Sequence, residues 1–314
     1  MKRKWRIWIL GVVFSGGMWL PAARAAAPDA AGTPAGGYTP EQIAEMINNP
    51  LSELWMINVQ NDTYWLGGDL VDAASGENPP QNVLNLQPVL SLQLTPGVRW
   101  ITRPVLPIMS VAGPEQFIHP TGELPPPGTP PDFHRETGLG DITWLNVFTS
   151  NEGAKPPDIW GVGGSVIMDT ATDPVMGTGK WSAGPAAVAM HLGEVWIYGV
   201  LFQHWWSFAG EDRRSDVNLT DVEPFLRRMI NQTTSVGFMP SCRYNWDAGD
   251  WIQVPVGLGI DHLMQVGPVP LQWGAEFYYN VARQDLLGSE YQFRVFLNTV
   301  VPSPAWTRRA LFGG

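Results

Sequence analysis

The chain is poor in three things, and each absence excludes a class of protein. A single cysteine, Cys242, among 314 residues rules out an internal disulfide, so an exported form must be stabilised by other means. Basic residues are outnumbered 19 to 29 by acidic ones, and the first 25 residues hold five of the basic set (Lys2, Arg3, Lys4, Arg6 and Arg24) and none of the acidic. Residues 26–314 therefore carry 14 − 29 = −15 charges. That balance speaks against a nucleic-acid partner, because binding phosphates draws on Lys and Arg. Beyond residue 25 no apolar run reaches the roughly 20 residues of a membrane helix, and Leu-rich amphipathic helices are missing as well.

What is present begins with a secretory signal. "MKRKWR" is a basic start, "IWILGVVFSGGMWL" is an apolar stretch too short to span comfortably, and "ARA" places small residues before a cleavage point after Ala25. An uncleaved anchor helix is the competing reading. Residues 26–52 form an N-terminal segment outside the main body. Ala26 to Gly37 is an Ala/Gly/Pro linker. In "TPEQIAEMINNP", Thr39 as N-cap, Pro40 at the first helical position and Gln42 closing a capping box predict a short periplasmic helix ending before Pro50. That helix would serve as a spacer or as a plug at a periplasmic mouth.

From residue 53 to 302 the pattern is β. Twelve candidate strands of about 10 to 15 residues, rich in Val, Ile, Trp, Tyr and Gly, follow one another: Glu53 to Trp65, Gln81 to Leu94, Val98 to Met109, Leu139 to Ser150, Ile159 to Thr170, Lys180 to His191, Val195 to Phe208, Val217 to Met229, Thr234 to Asn245, Trp251 to Met264, Pro268 to Val281, and Glu290 to Val301. An even count suits a closed antiparallel barrel with both ends on one side. Connections alternate between short ("TPG", "LGE", "INQT", "QVG") and long ("LGGDLVDAASGENPP", "ATDPVMGTG", "AGEDRRSD", "ARQDLLGS"). Bacterial outer-membrane barrels show that asymmetry, with the short turns periplasmic; a soluble sandwich has no reason for it. Of 16 tryptophans, 13 lie beyond the signal, and Trp55, Trp65, Trp100, Trp160, Trp181, Trp196, Trp246 and Trp251 sit near strand ends, as headgroup-level girdles require.

Parity within strands assigns faces. In "PVPLQWGAEFYYNVA" Val269, Leu271, Trp273, Phe277 and Tyr279 share one face, and Gln272, Glu276 and Asn280 the other. Periodicity alone does not say which face is wet. In a membrane barrel the apolar face meets lipid, so the expected lumen-lining residues, available for solute contact, are Asn58, Gln60, Asn85, Gln87, Arg103, Asp221, Glu223, Arg227, Gln272, Glu276, Asn280, Gln292 and Arg294. Parity is blurred in "WGVGGSVIMDTA" and "AVAMHL". Pro88, Pro104, Pro107, Pro185, Pro224, Pro240 and Pro255 each remove a ladder donor, so bulges or kinks are expected there.

Several stretches resemble one family. "NPLSELW", "QPVLSLQLTPGVRWITRPVLPI", "GLGDI", "WGVGGSVIMDTATD", "GTGKWSAGPAAVAM", "QHWWSFAG" and "PVGLGI" are similar, in order, to bacterial outer-membrane transporters titled the MetA-pathway of phenol degradation family, or neuromedin U. The resemblance runs from about Asn49 to Val301. It implies a barrel and transport of small, aromatic or apolar molecules, without an agreed substrate. Two departures stand out: a long Pro-rich segment from Ser110 to Gly138, and a tail, residues 303–314, beyond the last strand.

No residue pattern demands catalysis or a cofactor. His119, His134, His191, His204 and His262 lack metal-ligand spacing. Ser165 in "GGSVI" sits in a strand rather than at a nucleophile elbow. His204 and Ser207, the one close Ser/His pair, are three apart on a strand and point to opposite faces. "QHWW" offers Trp205 and Trp206 as an aromatic clamp or as a girdle. Asp169, Asp173, Glu211, Asp212 and Asp216 in outer loops could hold cations with lipopolysaccharide, or be plain solvated charge. The expectation is an all-β transmembrane antiparallel barrel of about twelve strands that passes small molecules, with outer-membrane lipid, lipopolysaccharide and a small-molecule solute as partners; a plugged barrel displaying outer loops is the alternative, and a lipid-active enzyme a third.

Overall fold

A computed structural model describes residues 51, 55–73, 80–114, 133–151, 153–154, 156–267 and 269–301. The signal sequence, the linker and short helix before residue 51, most of the Pro-rich segment and the tail from 302 lie outside the described residues.

Fourteen strands form one antiparallel sheet: β1 (Trp55–Gly67), β2 (Pro80–Thr95), β3 (Val98–Pro114), β4 (Phe133–Leu139), β5 (Ile142–Ser150), β6 (Asp158–Met168), β7 (Lys180–Leu192), β8 (Trp196–Gly210), β9 (Asn218–Met229), β10 (Thr234–Phe238), β11 (Cys242–Asn245), β12 (Asp250–Val266), β13 (Val269–Arg283) and β14 (Gly288–Val301). Among the described strands β4 and β5 both pair with β3, and β10 and β11 both pair with β9 and β12; the others pair with their sequence neighbours, and β14 pairs with β1 from Trp55↔Val301 to Gly67↔Gly288, closing the cylinder. β4 and β5 are two halves of one span broken at Gly140 and Asp141, and β10 and β11 two halves of another broken at Met239 to Ser241. Twelve spans result. Closure leaves no free sheet edge along the cylinder, the condition for a β protein to cross lipid.

Burial alternates along β13: Val269, Trp273, Phe277, Tyr279 and Val281 are exposed, while Gln272, Glu276, Tyr278 and Asn280 are buried. In β14 Tyr291, Phe293, Val295 and Leu297 are exposed, and Gln292, Arg294 and Phe296 are buried. The polar face is therefore inside. Trp144, Trp160, Trp181, Trp196, Trp206, Trp246, Trp251 and Trp273 all sit on the apolar exterior. An apolar band surrounding a polar interior is the arrangement of an outer-membrane barrel, and this protein resides in the outer membrane.

The prolines account for several departures from a regular ladder, while the register shifts at Trp65/Leu66, Trp181/Ser182 and Arg243/Tyr244 have no proline. Pro255 lies at a bulge, Pro240 in the break between β10 and β11, Pro185 opposite an interrupted stretch of β8, and Pro88 and Pro104 where β2 and β3 lose pairing. Pro107 and Pro224 are accommodated in continuous register. The Ser110 to Gly138 segment is not wholly loop: β3 runs to Pro114, and β4 pairs with β3 alone. These two strands form a hairpin extending past the point where β5 takes up pairing with β6. Asp141 at the break accepts hydrogen bonds from the backbone of Thr170, Ala171 and Thr178, tying down the β6–β7 connection. Among the described residues one short helix, α1 (Asp69–Ala73), lies within the connection expected to be loop. It follows Gly68, whose φ of 109° suits glycine and whose Cβ would fall 2.4 Å from the Asp285 carbonyl oxygen.

Candidate functional site

The candidate site is the lumen, and it has two unlike walls. On one wall a row of residues in mutual register crosses six strands: Arg227 (β9), Gly237 (β10), Gly259 (β12), Glu276 (β13), Arg294 (β14) and Asp62 (β1). The two glycines make the row work. Without side chains at 237 and 259, Arg227 lies along the wall and reaches Glu276 Oε1 at 2.8 Å as well as the Asp261 carboxylate. A Cβ on Gly237 would come 2.8 Å from Arg227 Cγ, and one on Gly259 would come 2.4 Å from Glu276 Cγ. Arg294 donates from Nε to Asp62 Oδ1 at 2.7 Å and from Nη1 to the Met239 carbonyl at 2.7 Å, and meets Glu276 Oε2 at 3.3 Å.

Neutral groups complete this belt. Gln292 and Gln60 donate to Asp62, Gln272 donates to Asp261, and Tyr278 donates to Glu276 at 2.7 Å. Asn298 links Asn58 to Gln272. Nearer the turn between β11 and β12, Arg243 holds Asp221 at 3.1 Å, and the Ser241 hydroxyl donates to the same carboxylate. Charges buried in this way are tolerable because each is paired and hydrogen-bonded.

The other wall is apolar. Val89, Ile101, Leu145, Val147, Ile159, Ala186, Val188, Met190, Ile197, Leu201 and Phe225 point inward from β2, β3 and β5 to β9 and pack with Leu51 into one buried cluster. Part of this wall, Val188 and Met190, falls where strand parity is blurred in the sequence, and the reason is now plain. Both faces of β6 and β7 are apolar or small, one against lipid and one against this internal core. The lumen is thus half polar, whereas the lining residues expected from the sequence are all polar or charged.

Between the walls lies a cavity of about 340 Å³. Across it, Arg103 on β3 and Glu223 on β9 approach to 3.9 Å. Five strand-to-strand steps separate β3 from β9 one way round and seven the other, counting the broken spans as one each, so this pair joins nearly opposite walls. At 3.9 Å it is longer than a hydrogen bond. Every other ion pair among the described lumen residues joins closer strands.

Ten of the thirteen expected lumen residues border this cavity: Asn58, Gln60, Asn85, Gln87, Arg103, Asp221, Glu223, Arg227, Gln272 and Arg294. Glu276, Asn280 and Gln292 face inward but are buried in the wall network, each 1% exposed. Trp205 and Trp206 do not make one clamp: as consecutive strand residues they point opposite ways, Trp205 into the lumen and Trp206 outward beside His204. Asp62, Asp261, Tyr278 and Arg243 were missed by the sequence reading, although each shares the inward parity of its strand. His204 and Ser207 have separate partners, Thr220 for the first and Asp216 for the second. Of the outer-loop acids, Asp173 accepts from the Val175 amide and Asp216 meets Lys180 at 3.1 Å. Hydrogen bonds from Lys180 and Ser207 and the Lys180 charge hold the Asp216 carboxyl below its ordinary range.

No family model matches the sequence, and no curated protein does. Solved structures show a similar fold. The chain resembles an outer membrane channel from Pseudomonas putida F1 with a TM-score of 0.52 and 14% identity, over 80% of this chain and 97% of that one. The NanC porin (0.40, 10% identity, 78% and 100% covered) and the Salmonella typhi outer membrane phospholipase dimer with bound calcium (0.39, 12%, 83% and 98%) match at scores too low to carry an argument. The first likeness supports the fold reached from the register: a closed twelve-span outer-membrane barrel.

Proposed function

We propose that the barrel is a channel for small molecules, with its passage running between the apolar wall and the charged belt. The observation that carries this reading is the Arg103–Glu223 contact. It is the ion pair that bridges the cavity, it is long, and neither partner belongs to the belt that braces the wall. The lumen can therefore widen by parting two side chains while the ion pairs between neighbouring strands stay intact. The resemblance noted in the sequence adds a solute class, small and aromatic or apolar, which the apolar wall would suit.

Planar-bilayer recording of the purified protein tests this. Glu223→Gln, which removes the attraction across the cavity, should raise conductance severalfold over the wild type. Absence of conductance in both proteins would reject the channel. A filled barrel that displays its long β3–β4 hairpin would then be the remaining reading, favoured by the extent to which the lumen wall is already satisfied. Catalysis has no part in the proposal, since His204 and Ser207 are engaged with different partners on different faces. We further propose that residues 1–25 are removed on export and that 26–52 stand on the periplasmic side; sequencing the N-terminus of protein extracted from membranes would check the first.

A further inference from the structure

Four arginines among the described residues line the cavity; three have close carboxylate partners, and the fourth does not. Arg227 and Arg294 each bridge two carboxylates, and Arg243 holds Asp221. Arg103 lines the cavity with its Nε–H unpartnered, and its Nη2 stands 3.9 Å from Glu223. Glu223 has no closer ion-pair or hydrogen-bond partner among the described residues. On the same cavity, the Gln203 amide oxygen is also buried without a partner. Buried polar groups are normally satisfied, so unpartnered groups on cavity-lining side chains mark a place where a ligand can supply the partners once those side chains turn toward it.

Charge balance selects the ligand. A lone carboxylate would satisfy Arg103 but add an anion beside Glu223; a lone ammonium would reverse the problem; an uncharged apolar molecule would leave both groups short of partners. A zwitterion meets both and leaves the net charge of the lumen unchanged. We propose that the cavity is a binding site for a free α-amino acid with an apolar side chain. Its carboxylate accepts the forked Nε–H and Nη2–H of Arg103. Its ammonium donates to Glu223 and to the Gln203 oxygen. Its side chain lies against Ile101, Leu145, Val188, Leu201 and Phe225, which line the same space. Arg103 and Glu223 reach toward each other from opposite walls and draw back to admit it. At about 340 Å³ the cavity falls at the small end of the roughly 300–1,000 Å³ typical of ligand sites.

The inference rests on the channel reading and replaces its uncharged apolar solute with a zwitterion whose side chain alone is apolar, but its test measures binding and does not need flux. Calorimetry on the full-length barrel in detergent would compare L-leucine with isocaproate, which lacks the ammonium, and isopentylamine, which lacks the carboxylate. Leucine should bind about tenfold or more tighter than either, the range expected for a charge-assisted hydrogen bond. Arg103→Gln should abolish the preference over isopentylamine, and Glu223→Gln the preference over isocaproate, with folding of each variant checked by heat-modified gel mobility. Equal binding of the three probes, binding of none, or unchanged preferences in the variants would overturn the site. The wild-type probe series decides even where a variant fails to fold. Flux without leucine preference would sink the site and leave the channel; leucine binding without flux would do the reverse.

Discussion

Gly259 shows how much of this interior depends on what a residue omits. A Cβ there would press on both Glu276 and the Ala275 carbonyl oxygen, 2.4 and 2.5 Å away, on the path that Arg227 takes to its partner. Gly259→Val should destabilise the barrel by about 1–3 kcal/mol, the usual cost of overpacking, measured as a lower urea midpoint in detergent. Arg294→Met is the harsher change, since Asp62 and Glu276 would both lose a cation. Breaking a buried pair costs roughly 3–5 kcal/mol, and adding Asp62→Asn to Arg294→Met should return part of it. Outside the membrane, Asp216 has a depressed carboxyl, so its tie to Lys180 contributes above the ordinary carboxylate range and is lost as pH falls through the depressed value. Hydrogen exchange across residues 211–217 should rise only in strong acid, whereas Asp216→Asn should raise it at neutral pH.

At the scale of elements, β4 pairs with β3 and with nothing else. Removing residues 115–132 and joining β3 to β4 by a short Gly-rich turn should leave the heat-modified mobility of the barrel unchanged; conversion to an unfolded species would show that the removed residues brace the spans. All twelve spans could be read from strand-forming residues bounded by turn residues, and most of them from alternation as well, because membrane strands repeat one physical rule, apolar outward every second residue. The breaks at Gly140 and Met239 to Ser241 were less legible. Backbone interruption depends on what neighbouring strands supply, such as the Asp141 carboxylate to the β6–β7 connection. Asp62 and Arg243 needed only the parity argument carried further along their strands. The part of the apolar inner wall on β6 and β7 was hidden for a better reason: alternation vanishes when both faces are greasy. Pairings such as Arg227 with Glu276, 49 residues apart, require the register of four strands and lie beyond any local pattern.

Taken as a whole, the molecule concentrates ionic groups on the side of the cylinder that contains its closing seam, and aliphatic ones on the side away from it. Such an interior should show little discrimination among simple ions. Five lumen acids (Asp62, Asp221, Glu223, Asp261 and Glu276) face four arginines (Arg103, Arg227, Arg243 and Arg294), and nearly all are already neutralised by neighbours. Reversal potentials in asymmetric potassium chloride should lie close to zero, and a strongly cation- or anion-selective current would contradict the pairing described.

The uneven lining also bears on assembly. A hairpin of β6 and β7 has no strong preference for which surface it offers to acyl chains, and taken alone it could be turned over at modest cost. β1 and β14 cannot, because inversion would carry Asp62 and Arg294 into hydrocarbon. The first and last strands of the chain, whose meeting finishes the cylinder, are thus the ones that tell the rest of the wall which way is in.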